Sequence, residues 1–111
     1  MPTFDRFDVV SVPFPYTDRP VRERRPALIV SLPVHEDRTG MLWVVMITSA
    51  QHRPWPGDVR LADHARVGLS IPSMIRTAKI ATVEARDARK LGRPSAAEIR
   101  AVRAALAQIL G

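Results

Sequence analysis

The chain has no cysteine, which excludes disulfides, thiol nucleophiles and thiolate metal sites together. Glycine is sparse, at 5 residues, and no glycine-rich phosphate loop can be found among them. Neither a GxSxG elbow nor an HExxH helix occurs, so those hydrolase classes drop out. No apolar run approaches the roughly 20 residues that a membrane helix needs. The start, Met1-Pro2-Thr3-Phe4-Asp5, has no basic segment followed by an apolar stretch. The expectation is a soluble, cytoplasmic protein without membrane association. The three histidines, His35, His52 and His64, lack the paired spacing of metal ligands, and no metal or cofactor is expected.

What is present is ordinary globular composition and an unusual basic balance. Hydrophobic residues make up 46% of the 111 positions and charged residues 25%, the profile of one folded domain over residues 1–111. The net charge is +6, and of the 17 basic residues only Lys79 and Lys90 are lysine. Arginine keeps its charge and grips phosphate bidentately, where lysine offers a point charge. The excess therefore favours a polyanionic partner, although an arginine-rich proteome gives the same count.

Along the chain, Asp8 to Phe14 mixes β-branched residues with partial alternation and reads as a strand. Residues 14–18 break it, and Arg19 to Arg25 forms a polar loop. Pro26 to Leu32 is a second strand, with its proline at the tolerant first position. Glu36 to Gly40 reads as a turn, and the continuous apolar run Met41 to Ile47 as a strand buried on both faces. Residues 51–57 are irregular, Asp58 to Leu61 is a short strand, and Ser73 to Val83 is a strand pair or one bent strand. Ser95-Ala96-Ala97-Glu98 is a capping box, and Ile99, Val102, Leu106 and Ile109 or Leu110 continue it as one helical apolar stripe. Short strands followed by one amphipathic helix predict a mainly β fold, a small antiparallel sheet or barrel closed by a C-terminal helix.

Three constellations could carry chemistry. Pro26 restricts Arg25 to extended geometry, so Arg24-Arg25-Pro26 either presents a guanidinium to phosphate or is a solvated charge cluster. Thr48 and Ser49 place two hydroxyls at the exit of the most apolar strand, for a phosphate or 2′-hydroxyl, or for ordinary turn chemistry. On a regular strand Arg76 and Ala78 share one face, with Thr77 and Lys79 on the other. Arg76 is then a phosphate contact or a cross-strand ion pair. Tyr16 and Trp55 lie beside prolines in loops, where a base could stack on them or they could pack on the sheet.

The order of these segments resembles the MazF/PemK family of ribonuclease toxins. The resemblance runs through Asp8-Val9-Val10, Pro13-Phe14, Arg25 to Ser31 and Ile47-Thr48-Ser49. It continues through Pro56 to Val59, Ser73 to Arg76, Ile80 to Val83 and Lys90 to Arg93, nearly the whole chain. It implies an SH3-like barrel with a C-terminal helix, a homodimer, and a toxin of a type II toxin-antitoxin system. Such a toxin cuts single-stranded RNA without metal and is held by an antitoxin protein. Arg25 and Thr48 match the family's catalytic arginine and threonine, and Arg76 matches an arginine used in the PemK/Kid branch. Three departures stand out. Phe7-Asp8 replaces the usual Gly-Asp or Gly-Glu, Ala78 stands where that branch has an acidic residue, and the first loop lacks a histidine that some members carry.

Metal-free cleavage proceeds by attack of the 2′-hydroxyl on phosphorus, leaving a 2′,3′-cyclic phosphate and a 5′-hydroxyl. Arg25 suits the non-bridging oxygens and Thr48 the alignment of the phosphate or nucleophile. The base is open between Asp18 and His52. Arg24, Arg76, Tyr16, Thr17, Ser49 and Gln51 are the expected RNA contacts. A gyrase poison of the CcdB type and a catalytically dead binding member of the family are the alternatives.

Overall fold

The computed structural model describes residues 3–13 and 23–111. Among these residues the β-branched and apolar runs form six antiparallel strands. They are β1 (Val9–Pro13), β2 (Arg24–Ile29), β3 (Met41–Ser49), β4 (Asp58–Arg60), β5 (Ser73–Glu84) and β6 (Arg89–Gly92). Their order in the sheet is β4-β5-β3-β2-β1-β6. Among the described residues two α-helices accompany them, α1 (Pro33–Thr39) after β2 and α2 (Ala96–Leu110) after β6. The expected antiparallel, barrel-like sheet with a C-terminal helix is therefore found, although no ladder among the described residues joins β4 to β6.

The sheet is buried on both faces, and strand alternation divides the apolar residues between two cores. Val9, Leu28, Val45, Ile47 and Ile75 enter one core with Val102 and Leu106 of α2. Their neighbours Val10, Ala27, Ile29, Val44 and Met46 enter the other with Phe4 and Val83. Within β3 the residues Val44 to Ile47 are buried on both faces, as the apolar run suggested, whereas Trp43 in the same run is 47% exposed, so the expected burial on both faces does not extend to it.

The sequence reading is corrected in three places. Residues 36–40 are not a plain turn. They are most of the short helix α1, which starts on Pro33 and ends at Gly40 in the left-handed region at φ 72°. Its Glu36 is buried and accepts from the Thr3 and Phe4 amides at 2.8 and 3.0 Å, tying the N-terminal segment to the helix. Secondly, β2 begins at Arg24, so Arg25 and Pro26 lie inside the strand, opposite Val12 and Ser11 of β1. The β2–β3 ladder starts only at Ala27, so the proline interrupts no bond on that side. Thirdly, of the two readings for residues 73–83 the single bent strand is found, as β5, but the bend breaks the regular alternation expected along it. Val45 pairs with Ile80 and the next residue, Met46, pairs with Arg76, so the register shifts across residues 77–79. Arg76 and Thr77 are consequently both buried while Ala78 is exposed, and the shared face expected for Arg76 and Ala78 does not exist.

Helix α2 starts as the sequence indicates. The Ser95 hydroxyl accepts from the Glu98 amide at 3.2 Å, and the Glu98 carboxylate accepts from the Ser95 amide at 2.8 Å. The second Glu98 oxygen accepts from the Ala62 amide at 2.7 Å, fastening the helix to the segment that follows β4. Among the described residues no helix is long and apolar enough to cross a membrane.

Candidate functional site

A cavity of about 620 Å³ opens where two strands part. β3 pairs with β5 along its whole length but with β2 only through Val44 to Met46, so its end, Ile47 to Ser49, has no ladder to β2. The first residues of β2 and the last residues of β3 therefore splay, and Arg25 and Thr48 line the gap between them. Ser49 and His52 line it as well, and Arg24, Arg76 and Lys79 make its charge strongly positive. No carboxylate is among the described residues that line it. Leu69, Ile71 and Leu91 contribute an apolar wall that sequence reading did not associate with the site, because pairing rather than spacing brings them there.

The hydroxyl at the end of β3 is held by a tight turn. The His52 amide donates to the Ser49 carbonyl at 3.1 Å, and the Gln51 amide donates to the Ser49 hydroxyl at 3.2 Å. The Ala50 amide anchors the turn to the Pro72 carbonyl at 3.0 Å. This geometry brings the His52 ring back over the strand end, with Nδ1 2.6 Å from Thr48 Oγ1. Of the two base candidates, His52 thus contacts Thr48. Asp18 lies outside the described residues, as do the expected RNA contacts Tyr16 and Thr17.

The arginines differ in their commitments. Arg25 is about half exposed and pairs with Glu23 at 2.7 Å, its position fixed by β2. Arg24 donates from Nε to the Ser11 hydroxyl at 2.8 Å, and from Nη2 to the Ser11 and Asp87 carbonyls at 2.6 and 2.7 Å. It ties β1 and the turn before β6 to the cavity rim. Arg76 is buried and takes the cross-strand ion pair of its two readings. Its partner across the ladder is Asp58, at 3.1 Å from Nη2 and 3.3 Å from Nε. It also donates to the Arg53 carbonyl at 2.8 Å and lies 4.1 Å from the centre of the Trp55 ring. Thr77 completes the clamp by donating to the Gly57 carbonyl at 2.7 Å. Gly57 itself sits at φ 85°, and a Cβ there would come 2.7 Å from the Thr77 hydroxyl, so only glycine fits this turn. Of the remaining expected contacts, Ser49 lines the cavity and Gln51 is exposed on the turn beside it.

Fold and site together define a small antiparallel sheet protein with a cationic, hydroxyl-lined cleft. Residues 5–110 match the family model described as the PemK-like, MazF-like toxin of type II toxin-antitoxin systems, and the chain belongs to that family. MazF-like toxins are endoribonucleases. Among solved structures the chain is similar to MazF (Form-I) from Deinococcus radiodurans, with 25% identity and a TM-score of 0.76 over 96% of each chain. It is also similar to the MazE-MazF structure (Form-III) from the same organism, with 26% identity and a TM-score of 0.76 over 96% of this chain and 95% of that one. A mycobacterial endoribonuclease in complex with its cognate antitoxin shares the fold, at 23% identity and a TM-score of 0.74 over 96% of this chain and 94% of that one. No curated protein matches the sequence significantly.

Proposed function

We propose that this chain is a cytoplasmic toxin that cuts single-stranded RNA at specific sequences without metal, stopping translation and growth. The observation that carries the reading is the cleft between β2 and β3, where Arg25 and Thr48 line one cavity beside further cations. Family membership and the likeness to MazF support the same reading. In the reaction the 2′-oxygen bonds to phosphorus and the P–O5′ bond breaks, giving a 2′,3′-cyclic phosphate and a 5′-hydroxyl. Charge develops on the non-bridging oxygens, and in this reading the Arg25 guanidinium is the group that meets it. Thr48 holds the nucleophile or the phosphate in line, where alignment alone lowers the barrier. Arg24 and Arg76 act at this cleft mainly by fixing its walls, since their donors are engaged by Ser11, Asp87, Asp58 and Arg53.

As the MazE-MazF structure pairs that relative with its antitoxin, an antitoxin protein is the proposed inhibitor here, with the toxin acting as a homodimer. An acidic segment that folds on binding would complement the basic cleft. The test is incubation of the purified chain with a long single-stranded RNA in excess EDTA, followed by analysis of fragment ends. Discrete fragments with 2′,3′-cyclic phosphate ends support the reading. Intact RNA from a folded sample overturns it in favour of a gyrase poison or an inactive binding protein.

A further inference from the structure

We infer that His52 is the proton acceptor of this site and takes up the 2′-hydroxyl proton of the RNA through Thr48. The inference rests on the ribonuclease reading above and adds to it the group that the reaction still needs. In this assignment His52 acts on the RNA through Thr48, so it is a positioning residue for the Thr48 hydroxyl as well as the sink for its proton.

Geometry carries the assignment. The 2.6 Å separation of Thr48 Oγ1 and His52 Nδ1 is that of a good O–H to nitrogen hydrogen bond. The amide bonds of Ala50, Gln51 and His52 fix the turn backbone that carries the ring. With the ring proton on Nε2, Nδ1 accepts from Thr48, and the oxygen lone pairs of Thr48 are available to the cavity. The charged side chains lining the cavity beside the ring are Arg24, Arg25, Arg76 and Lys79. The carboxylates Glu23 and Asp58 are engaged by Arg25 and Arg76 respectively. Imidazole is the one side chain in this set with a nitrogen lone pair that can accept a proton and give it back, the other nitrogen groups being cations.

The step balances. Thr48 Oγ1 takes the 2′-hydroxyl proton while its own proton passes to His52 Nδ1, giving an imidazolium. The 2′-oxygen bonds to phosphorus, the P–O5′ pair leaves on the 5′-oxygen, and that oxygen takes a proton from water. The resulting hydroxide recovers the proton from Nδ1, so no net proton is consumed.

The experiment compares the wild-type chain with His52→Asn and His52→Ala. The substrate is a quenched single-stranded RNA oligonucleotide spanning a site mapped with the wild type. Asparagine can place an amide oxygen near the position of Nδ1, keeping an acceptor for Thr48 without basicity. Binding is read separately with an oligonucleotide carrying a 2′-deoxy group at the cut nucleotide. Expected are unchanged binding and a kcat for His52→Asn about 10²–10⁴-fold lower, the usual range for a lost general base. The pH profile of its kcat should then differ in shape from that of the wild type, and added imidazole should restore part of the rate of His52→Ala. Wild-type kcat in His52→Asn, or a lowered kcat with the wild-type pH profile and no imidazole rescue, overturns the inference. A wild-type chain that cuts no RNA overturns the ribonuclease reading instead, so the two failures are distinguishable.

Discussion

Arg76 and Asp58 face each other across the β4–β5 ladder as an ion pair, with side chains only 9% and 7% exposed. Removing one partner leaves a buried charge, whereas removing both does not. Asp58→Ala is therefore expected to lose about 3–5 kcal/mol of stability, and Asp58→Ala with Arg76→Met distinctly less. Urea denaturation midpoints check this. Because Arg76 also holds the Arg53 carbonyl and lies against Trp55, the single variant should raise the proteolytic sensitivity of the 53–58 loop as well.

Arg25 and Thr48 stand at the mouth of the cleft, away from the packed cores. Arg25→Ala is expected to lower kcat about 10²–10³-fold, the scale of a lost charge-stabilising donor. Arg25→Lys should recover only part of this, since the ammonium cannot make a two-pronged contact with phosphate. Thr48→Ala should lose rate to a similar degree. Circular dichroism and thermal midpoints close to wild type in all three would show that the losses are chemical rather than structural.

Acidification should loosen the C-terminal helix. Burial works to raise the Glu98 carboxyl. Hydrogen bonds from the Ala62 and Ser95 amides and the Ser95 hydroxyl, with the charge of Arg66, outweigh it and hold the group below its ordinary value of 4.5. A carboxyl with a lowered folded-state pKa adds stability above its unfolded value and loses it as pH falls through the folded one. Glu98→Gln is expected to cost about 0.5–2 kcal/mol at neutral pH, the range of a lost helix cap. It should also flatten the fall in stability below pH 4.5. Chemical denaturation of both proteins across that range measures the difference.

Phe7 occupies the place where the family resemblance expects glycine, and it has a glycine-like backbone, with φ 73°. The ring is 1% exposed, and the guanidinium carbons of Arg6 and Arg103 lie 4.7 and 4.8 Å from its centre. Loss of a core aromatic costs about 3–5 kcal/mol, against about 1–2 kcal/mol of left-handed backbone cost for a non-glycine residue. The phenylalanine therefore stabilises the core by more than its backbone costs. Phe7→Ala and Phe7→Gly should both be destabilised. The glycine variant should be at least as stable as the alanine one, the reverse of the usual order in strands, and thermal midpoints of the pair test it.

How much of this was legible in the sequence depended on how local its cause is. The Ser95–Glu98 box and the strand β3 are written in neighbouring residues and appear as expected, except that Trp43 in the apolar run is exposed rather than buried. Helix α1 escaped because its seven residues carry no apolar stripe, only a starting proline and a closing glycine. The bend at residues 77–79 and the Arg76–Asp58 pair are products of register, and spacing along β5 alone suggested the wrong face for Ala78. At the site, Arg25 and Thr48 could be singled out as residue types, but their common cleft depends on where the β2–β3 ladder stops. The contact of His52 with Thr48 depends likewise on a turn that four residues of sequence do not reveal.

The central claim is that this cleft directs a 2′-hydroxyl against its neighbouring phosphate. Its most direct test uses two short RNA oligonucleotides spanning a mapped cut site, identical except for a single 2′-deoxy substitution at the cleaved nucleotide, in excess EDTA. The account predicts cleavage of the all-ribose strand and full resistance of the substituted one at equal binding. Equal cleavage of both, or cleavage of neither until a divalent metal is supplied, would contradict it.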